Sequence, residues 1–152
     1  MVRRHHLSKK KIKEIKKKLA MEIWIEGKYE IVENEMEIIL VDGLPSYFLL
    51  EDKYYPTVLL LLQSPPVDKY VTVDMGAVKH VLNGANIFAA GIVEADENIR
   101  EGDAVYIRDE KYKKPLAVGI ALMNGKGMVL EKKGIAVKNI HHYGDKIHRI
   151  LD

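Results

Sequence analysis

Cysteine is absent from the chain. That excludes disulfides, thiolate metal sites and a cysteine nucleophile, and it suits a reducing compartment. Long apolar stretches are missing too. The longest, Val58 to Leu62, is far too short to cross a bilayer. No apolar signal-peptide core follows the basic N-terminus, so a cytoplasmic protein with no membrane partner is expected. The sequence also lacks a Gly-x-Ser-x-Gly elbow, a P-loop, a Gly-x-Gly-x-x-Gly turn and a His-Glu-x-x-His helix. Asp74 and Asp103 have acid/base chemistry, but they sit where turns and strand ends are expected, and Asp103 most simply bonds its own turn. No enzymatic activity, cofactor or metal is expected.

What is present describes a globular protein. The 152 residues are 47% hydrophobic and 30% charged, enough for one ample domain or two small ones. The net charge of +2 hides an asymmetry. Residues 1–20 hold nine Lys/Arg against Glu14, or +8, and residues 21–66 hold Lys28 and Lys53 against nine acids, or −7. Residues 67–152 hold thirteen Lys/Arg against twelve acids, or +1. Such segregation suggests different surroundings for each segment.

Ser8 before Lys9–Ile23 reads as an N-capped helix with Ile12, Ile15, Leu19 and Ile23 along one stripe. His5-His6 ahead of it reads as a flexible tail. Tyr29–Val32, Met36–Val41, Tyr47–Leu50 and Thr57–Leu62 read as strands separated by polar turns. Ser64-Pro65-Pro66 is the best domain boundary, because proline fixes φ and removes N–H donors. Beyond it a strand is expected at Tyr70–Val73 and a short helix at Ala77–Leu82. Further strands are expected at Asn86–Val93, Ala104–Arg108, Pro115–Asn124, Val129–Leu130, Ile135–Ile140 and Ile147–Leu151. Many short strands with one brief helix imply a small, mostly closed β-barrel.

Particular segments in this region carry a resemblance. Val73–Val78, Asn83–Ile87 and Ala90-Gly91-Ile92 are followed by Ile99–Val105, Ala117–Ala121 and Lys133–Val137. In that order and spacing they resemble the PUA domain over residues 67–152. Asn139–Ile147, with its His141-His142-Tyr143-Gly144 core, and Tyr54-Tyr55-Pro56-Thr57 resemble the malignant T-cell-amplified-sequence family of translation proteins. The resemblance implies an α+β pre-PUA domain at 1–64 followed by a mostly β PUA pseudo-barrel at 67–152. It also implies RNA binding, with rRNA or tRNA as ligand and the small ribosomal subunit as the setting for initiation or recycling. A protein partner at the N-terminal domain is a further implication. An accessory role in tRNA or rRNA modification, or a protein–protein adaptor, stays open. One departure from the pattern is Ala90, where PUA domains often carry proline.

The resemblance places an RNA groove at Lys79, His80, Asn83, Gly84, Ala85, Asn86, Ala90 and Gly91, with His142 nearby. RNA is read through its shape, backbone and splayed bases, and glycine lets such a chain lie close to the protein backbone. Lys79 would supply charge, and Asn83 and Asn86 would offer donors and acceptors. The plainer reading makes Asn83-Gly84 a turn and Lys79 a solvated lysine. His141 and His142 are adjacent in a strand and so point to opposite faces, which disfavours a shared metal and favours one packed and one outward imidazole. The lysine-rich helix can be a solvated face, an RNA contact or a neutraliser of the acidic middle segment. Its narrow apolar stripe and lack of aromatic anchors disfavour a membrane surface.

Overall fold

The computed structural model describes residues 3–152, so residues 1 and 2 of the expected first unit lie outside it. Two sheets organise the chain. The first is an antiparallel meander of β1 (Arg3–His6), β2 (Tyr29–Glu33), β3 (Glu37–Val41), β4 (Leu44–Leu50) and β5 (Lys53–Pro56), in that spatial order. Helix α1 (Lys9–Lys17) and helix α2 (Val58–Gln63) complete this half. The second sheet has β7 (Ile87–Phe88), β11 (Ile135–His142), β10 (Pro115–Ala121), β9 (Ala104–Asp109), β6 (Tyr70–Val73) and β8 (Ile92–Ala95), neighbours in the order given. Only the β6–β9 pair is parallel. A 3-10 turn at Ala89–Gly91 carries the chain from β7 at one edge to β8 at the other, which nearly closes the sheet into a barrel. The expected α+β half followed by a mostly β pseudo-barrel is the observed architecture.

Several elements differ from expectation, each for a local reason. Thr57–Leu62 is not a strand: the Leu60 N–H donates to the Thr57 hydroxyl at 3.1 Å, and this cap starts α2. An apolar run of that length suits either structure, so the cap decides. Val129–Leu130 belongs to helix α4 (Gly125–Leu130), started by Asn124, whose Oδ1 accepts from the Gly127 N–H at 2.7 Å. Ile147–Leu151 is a series of turns, because Asp145 gathers the N–H groups of Ile147 and His148. His5-His6 is no loose tail but part of β1, paired with Ile31 and Glu30. Ser8 does cap α1, accepting from the Lys11 N–H at 3.1 Å. The helix nevertheless ends at Lys17 rather than Ile23. The following residues pair with β5 instead: Tyr54 N–H donates to Lys18 O and Ala20 N–H to Tyr54 O.

Strand β9 explains how the two halves join. Val105 and Ile107 point into the barrel core, while Ala104 and Tyr106 point outward into the core of the first half. Both faces are therefore buried, which is why this strand reads as continuously apolar. Val118 and Ile147 join the same shared core, and the Tyr106 hydroxyl donates to Pro66 O at 2.8 Å. His141 ties the halves by polar contact. Its Nε2 accepts the first N–H of α2, from Val58, at 2.9 Å, and its Nδ1 lies 2.8 Å from Asp145 Oδ2. Accepting at Nε2 places the proton on Nδ1, which donates to the carboxylate. His141 is buried and His142 half-buried, so the opposite-face expectation for the pair is met.

Candidate nucleic-acid interface

Helix α3 (Met75–Leu82) begins at Asp74, whose carboxylate accepts from the Ala77 N–H at 2.9 Å. It follows β6 directly, so its last turn is carried to the end of the barrel. There Gly84 N–H donates to Val81 O at 3.0 Å and Ala85 N–H to His80 O at 3.1 Å. These two bonds are the glycine-terminated helix ending in which the residue after the cap is left-handed, and Gly84 has φ +86°. Glycine here is required by the turn itself.

Asn139 of β11 holds that turn. Its Nδ2 donates to Val81 O at 3.1 Å and to Ala85 O at 3.0 Å, and its own N–H donates to Asn86 Oδ1 at 3.0 Å. Asn86 therefore has its side-chain oxygen engaged within the protein, although the residue is exposed. The His142 ring lies beside Gly84, close enough that a Cβ added there would stand 3.4 Å from Cδ2 and Nε2. His142 Nδ1 donates to Tyr143 O at 3.0 Å, and Nε2 lies on the ring edge that faces the glycine.

A cleft of about 370 Å³ opens between α3 and the β7 edge, lined by Ala77, His80, Val81, Ala85, Asn86, Ile87, Phe88 and Gly91. Gly91 sits under α3, where an added Cβ would be 3.4 Å from that of Ala77. Phe88 forms the lip and is 56% exposed, unusual for one of only two phenylalanines in the chain. Thus His80, Ala85, Asn86 and Gly91 converge on one apolar cleft. Lys79, Asn83, Gly84 and Ala90 are exposed beside it, and His142 lies behind Gly84 rather than in the cleft. Phe88 and Asn139 are the residues that sequence reasoning missed as site residues. Alternation along Ile87-Phe88-Ala89, with buried neighbours on either side, marks Phe88 as outward-facing.

Two other clefts lie where the halves meet. One of about 440 Å³ runs between the β2–β3 turn and the C-terminal tail, and one of about 420 Å³ lies beside Lys53, Tyr55 and Lys69. Both are larger than the α3 cleft, but neither joins an exposed aromatic to an α3-type helix ending. Among the described residues no three His, Cys, Asp or Glu side chains gather as a metal site. No helix there is long and apolar enough to span a membrane.

Comparison with known proteins agrees with this layout. Residues 69–143 match the PUA domain model, and residues 3–64 match a domain of unknown function, DUF1947. Translation machinery-associated protein 20 of Saccharomyces cerevisiae is 31% identical over 76% of this chain and 67% of that protein. Malignant T-cell-amplified sequence 1-B of Xenopus laevis is 34% identical over 74% of this chain and 64% of that protein. The chain belongs to this DUF1947–PUA family. Within the family, uncharacterized protein MJ1432 of Methanocaldococcus jannaschii is 50% identical over 95% of this chain and 94% of its own length. Among solved structures, a conserved PUA domain protein from Thermoplasma acidophilum superposes with TM-score 0.88 at 33% identity, covering 99% of this chain and all of that one. Hypothetical protein PH0734.1 from Pyrococcus horikoshii OT3 gives 0.82 at 41% identity, with 99% and 100% covered.

Proposed function

We propose that this DUF1947–PUA protein binds RNA at the α3 cleft and serves the translation machinery, on the small ribosomal subunit or at a tRNA end. The carrying observation is the juxtaposition of the open apolar cleft, the exposed Phe88 ring at its lip and the bare backbone at Gly91. An unpaired base can stack on an exposed aromatic, and its ribose and phosphate can then approach main chain and the Lys79 and His80 side chains. Membership of the same family as the yeast translation machinery-associated protein 20 and the Xenopus relative supports the translation setting. The chain carries RNA by binding it and has no chemistry of its own to perform in this role.

Crosslinking in cell extract, followed by sequencing of the bound RNA, tests the setting. Reads concentrated on small-subunit rRNA or tRNA ends support it. Reads on tRNA with a co-purifying modification enzyme would instead make the chain an accessory of that enzyme, and no enriched RNA would make it a protein adaptor. Filter binding across a salt series tests the site: Lys79→Glu and Phe88→Ala should each weaken binding while thermal unfolding stays cooperative. Folded variants that bind like wild type would remove the cleft from the account.

A further inference from the structure

The α1 lysines divide into two groups that the sequence does not distinguish. Lys11 pairs with Glu14 at 3.3 Å and Glu37 at 3.4 Å, and it lies 5.8 Å from the Tyr54 ring centroid, whose hydroxyl bonds Glu37. Lys18, the helix cap, pairs with Asp52 at 2.8 Å and Glu14 at 3.3 Å. These two neutralise the acidic sheet beneath the helix, while Ile15 is buried against it and Ile12 and Leu19 pack at its margin. Lys9, Lys10, Lys13, Lys16 and Lys17 pair with no carboxylate among the described residues. All five are exposed.

Helical geometry collects this second group. At about 100° per residue the five fall within an arc of about 120°, and at about 1.5 Å per residue they span about 12 Å of axis. The apolar stripe and the paired lysines occupy the rest of the cylinder, apart from Glu14 at the margin. Lys16 stands 5.3 Å from the Trp24 ring centroid, so one edge of the face is itself held in place. Like charges at i and i+4 repel, so this face costs stability in the free protein. A polyanion with closely spaced charges relieves that repulsion.

We infer that this face of α1 is a second RNA contact, a phosphate-binding surface on the DUF1947 half that engages the RNA backbone without reading its sequence. The inference rests on the RNA-binding reading above and extends it from one site to two. The shared core and the His141 bridge hold the two halves together, so a single long RNA could meet both surfaces on one rigid body. Lysine contacts to phosphate release counterions, and binding through this face falls with salt accordingly.

The test compares full-length wild type with a Lys10→Gln/Lys13→Gln/Lys17→Gln variant and a Phe88→Ala variant, binding labelled poly-uridylate by fluorescence anisotropy. Loss of three phosphate contacts should flatten the slope of log affinity against log salt by about 2, so between about 50 and 200 mM salt the wild type loses about 15- to 20-fold more affinity than the glutamine variant. Phe88→Ala should lower affinity by about tenfold at every salt concentration with the slope kept, as expected for lost stacking. An unchanged slope in the folded glutamine variant overturns the second surface, whatever Phe88→Ala does. A flattened slope with a neutral Phe88→Ala supports the lysine face and removes the cleft instead. Tighter wild-type binding to phosphatidylserine vesicles than to poly-uridylate at equal phosphate and salt would assign the face to membranes and overturn the proposal.

Discussion

Replacing His141 with phenylalanine should destabilise the protein far more than its small change in volume suggests. The ring would still pack near Phe48, whose centroid is 5.3 Å from the imidazole. Both nitrogens would go, however. The buried Val58 N–H would lose its acceptor, at about 1–3 kcal/mol, and Asp145 would lose a donor to its charged carboxylate, at about 1.5–3 kcal/mol. The total is about 3–5 kcal/mol. For a chain of 152 residues, each kcal/mol lowers the midpoint by about 2–4 °C, so the loss should be about 6–20 °C in calorimetry. Urea unfolding checks the same quantity, and His142→Phe on the half-exposed neighbour should cost under about 1 kcal/mol. A His141→Phe variant within about 0.5 kcal/mol of wild type would refute the claim that this side chain bridges the halves.

Burial alone would raise the Asp145 pKa, but the His141 side chain and the backbone N–H groups of His142 and His148 outweigh it and hold the value at about 2. The folded value is thus below the unfolded one, so this stabilisation is complete above about pH 4 and lost as pH falls from about 4 to about 2, amounting to about 2 kcal/mol. Asp145→Asn should remove that segment of the stability–pH curve, and an unchanged acid limb would contradict the assignment. Asn139→Ala should free the Val81 and Ala85 carbonyls and cost about 1–3 kcal/mol in urea unfolding. It should also weaken RNA binding with the salt slope preserved, because Asn139 positions the turn and carries no charge.

The parts of the fold that the sequence made legible are those where one local rule acts alone. Ser8 had no competitor as a cap. Tyr29–Val32 and Tyr70–Val73, short β-branched and aromatic runs bounded by charged residues, form strands β2 and β6 as expected. The adjacent His141 and His142 had to face apart once they lay in a strand. Errors came where two rules met. Thr57–Leu62 satisfies a buried strand and a buried helix equally, and only the Thr57 hydroxyl distinguishes them. Asn124-Gly125-Lys126-Gly127 has turn composition, yet Asn124 caps a helix. The early end of α1 was not legible at all, because the Lys18–Ala20 pairing with Tyr54 is a contact across more than thirty positions.

The site shows the same division at finer scale. Gly84 was marked by its Asn-Gly pair, and the turn alone accounts for it. A glycine demanded by helix termination therefore says little about RNA, whether or not RNA passes nearby. Gly91 carries more weight: its φ is unremarkable, and a Cβ there would meet the Ala77 methyl only at an ordinary contact distance of 3.4 Å, so neither turn nor packing demands glycine, and its missing side chain leaves backbone bare at the cleft. Asn86 moves the other way, from a free reader of base edges to a residue half-engaged by the Asn139 backbone. Phe88 gains most, since its exposed ring lines an apolar cleft and stands across the ladder from exposed Ile135, so the exposed apolar surface is continuous there. The proposed RNA site thus rests on Phe88 and Gly91, an exposed ring and a side-chain-free stretch of backbone that meet at one opening.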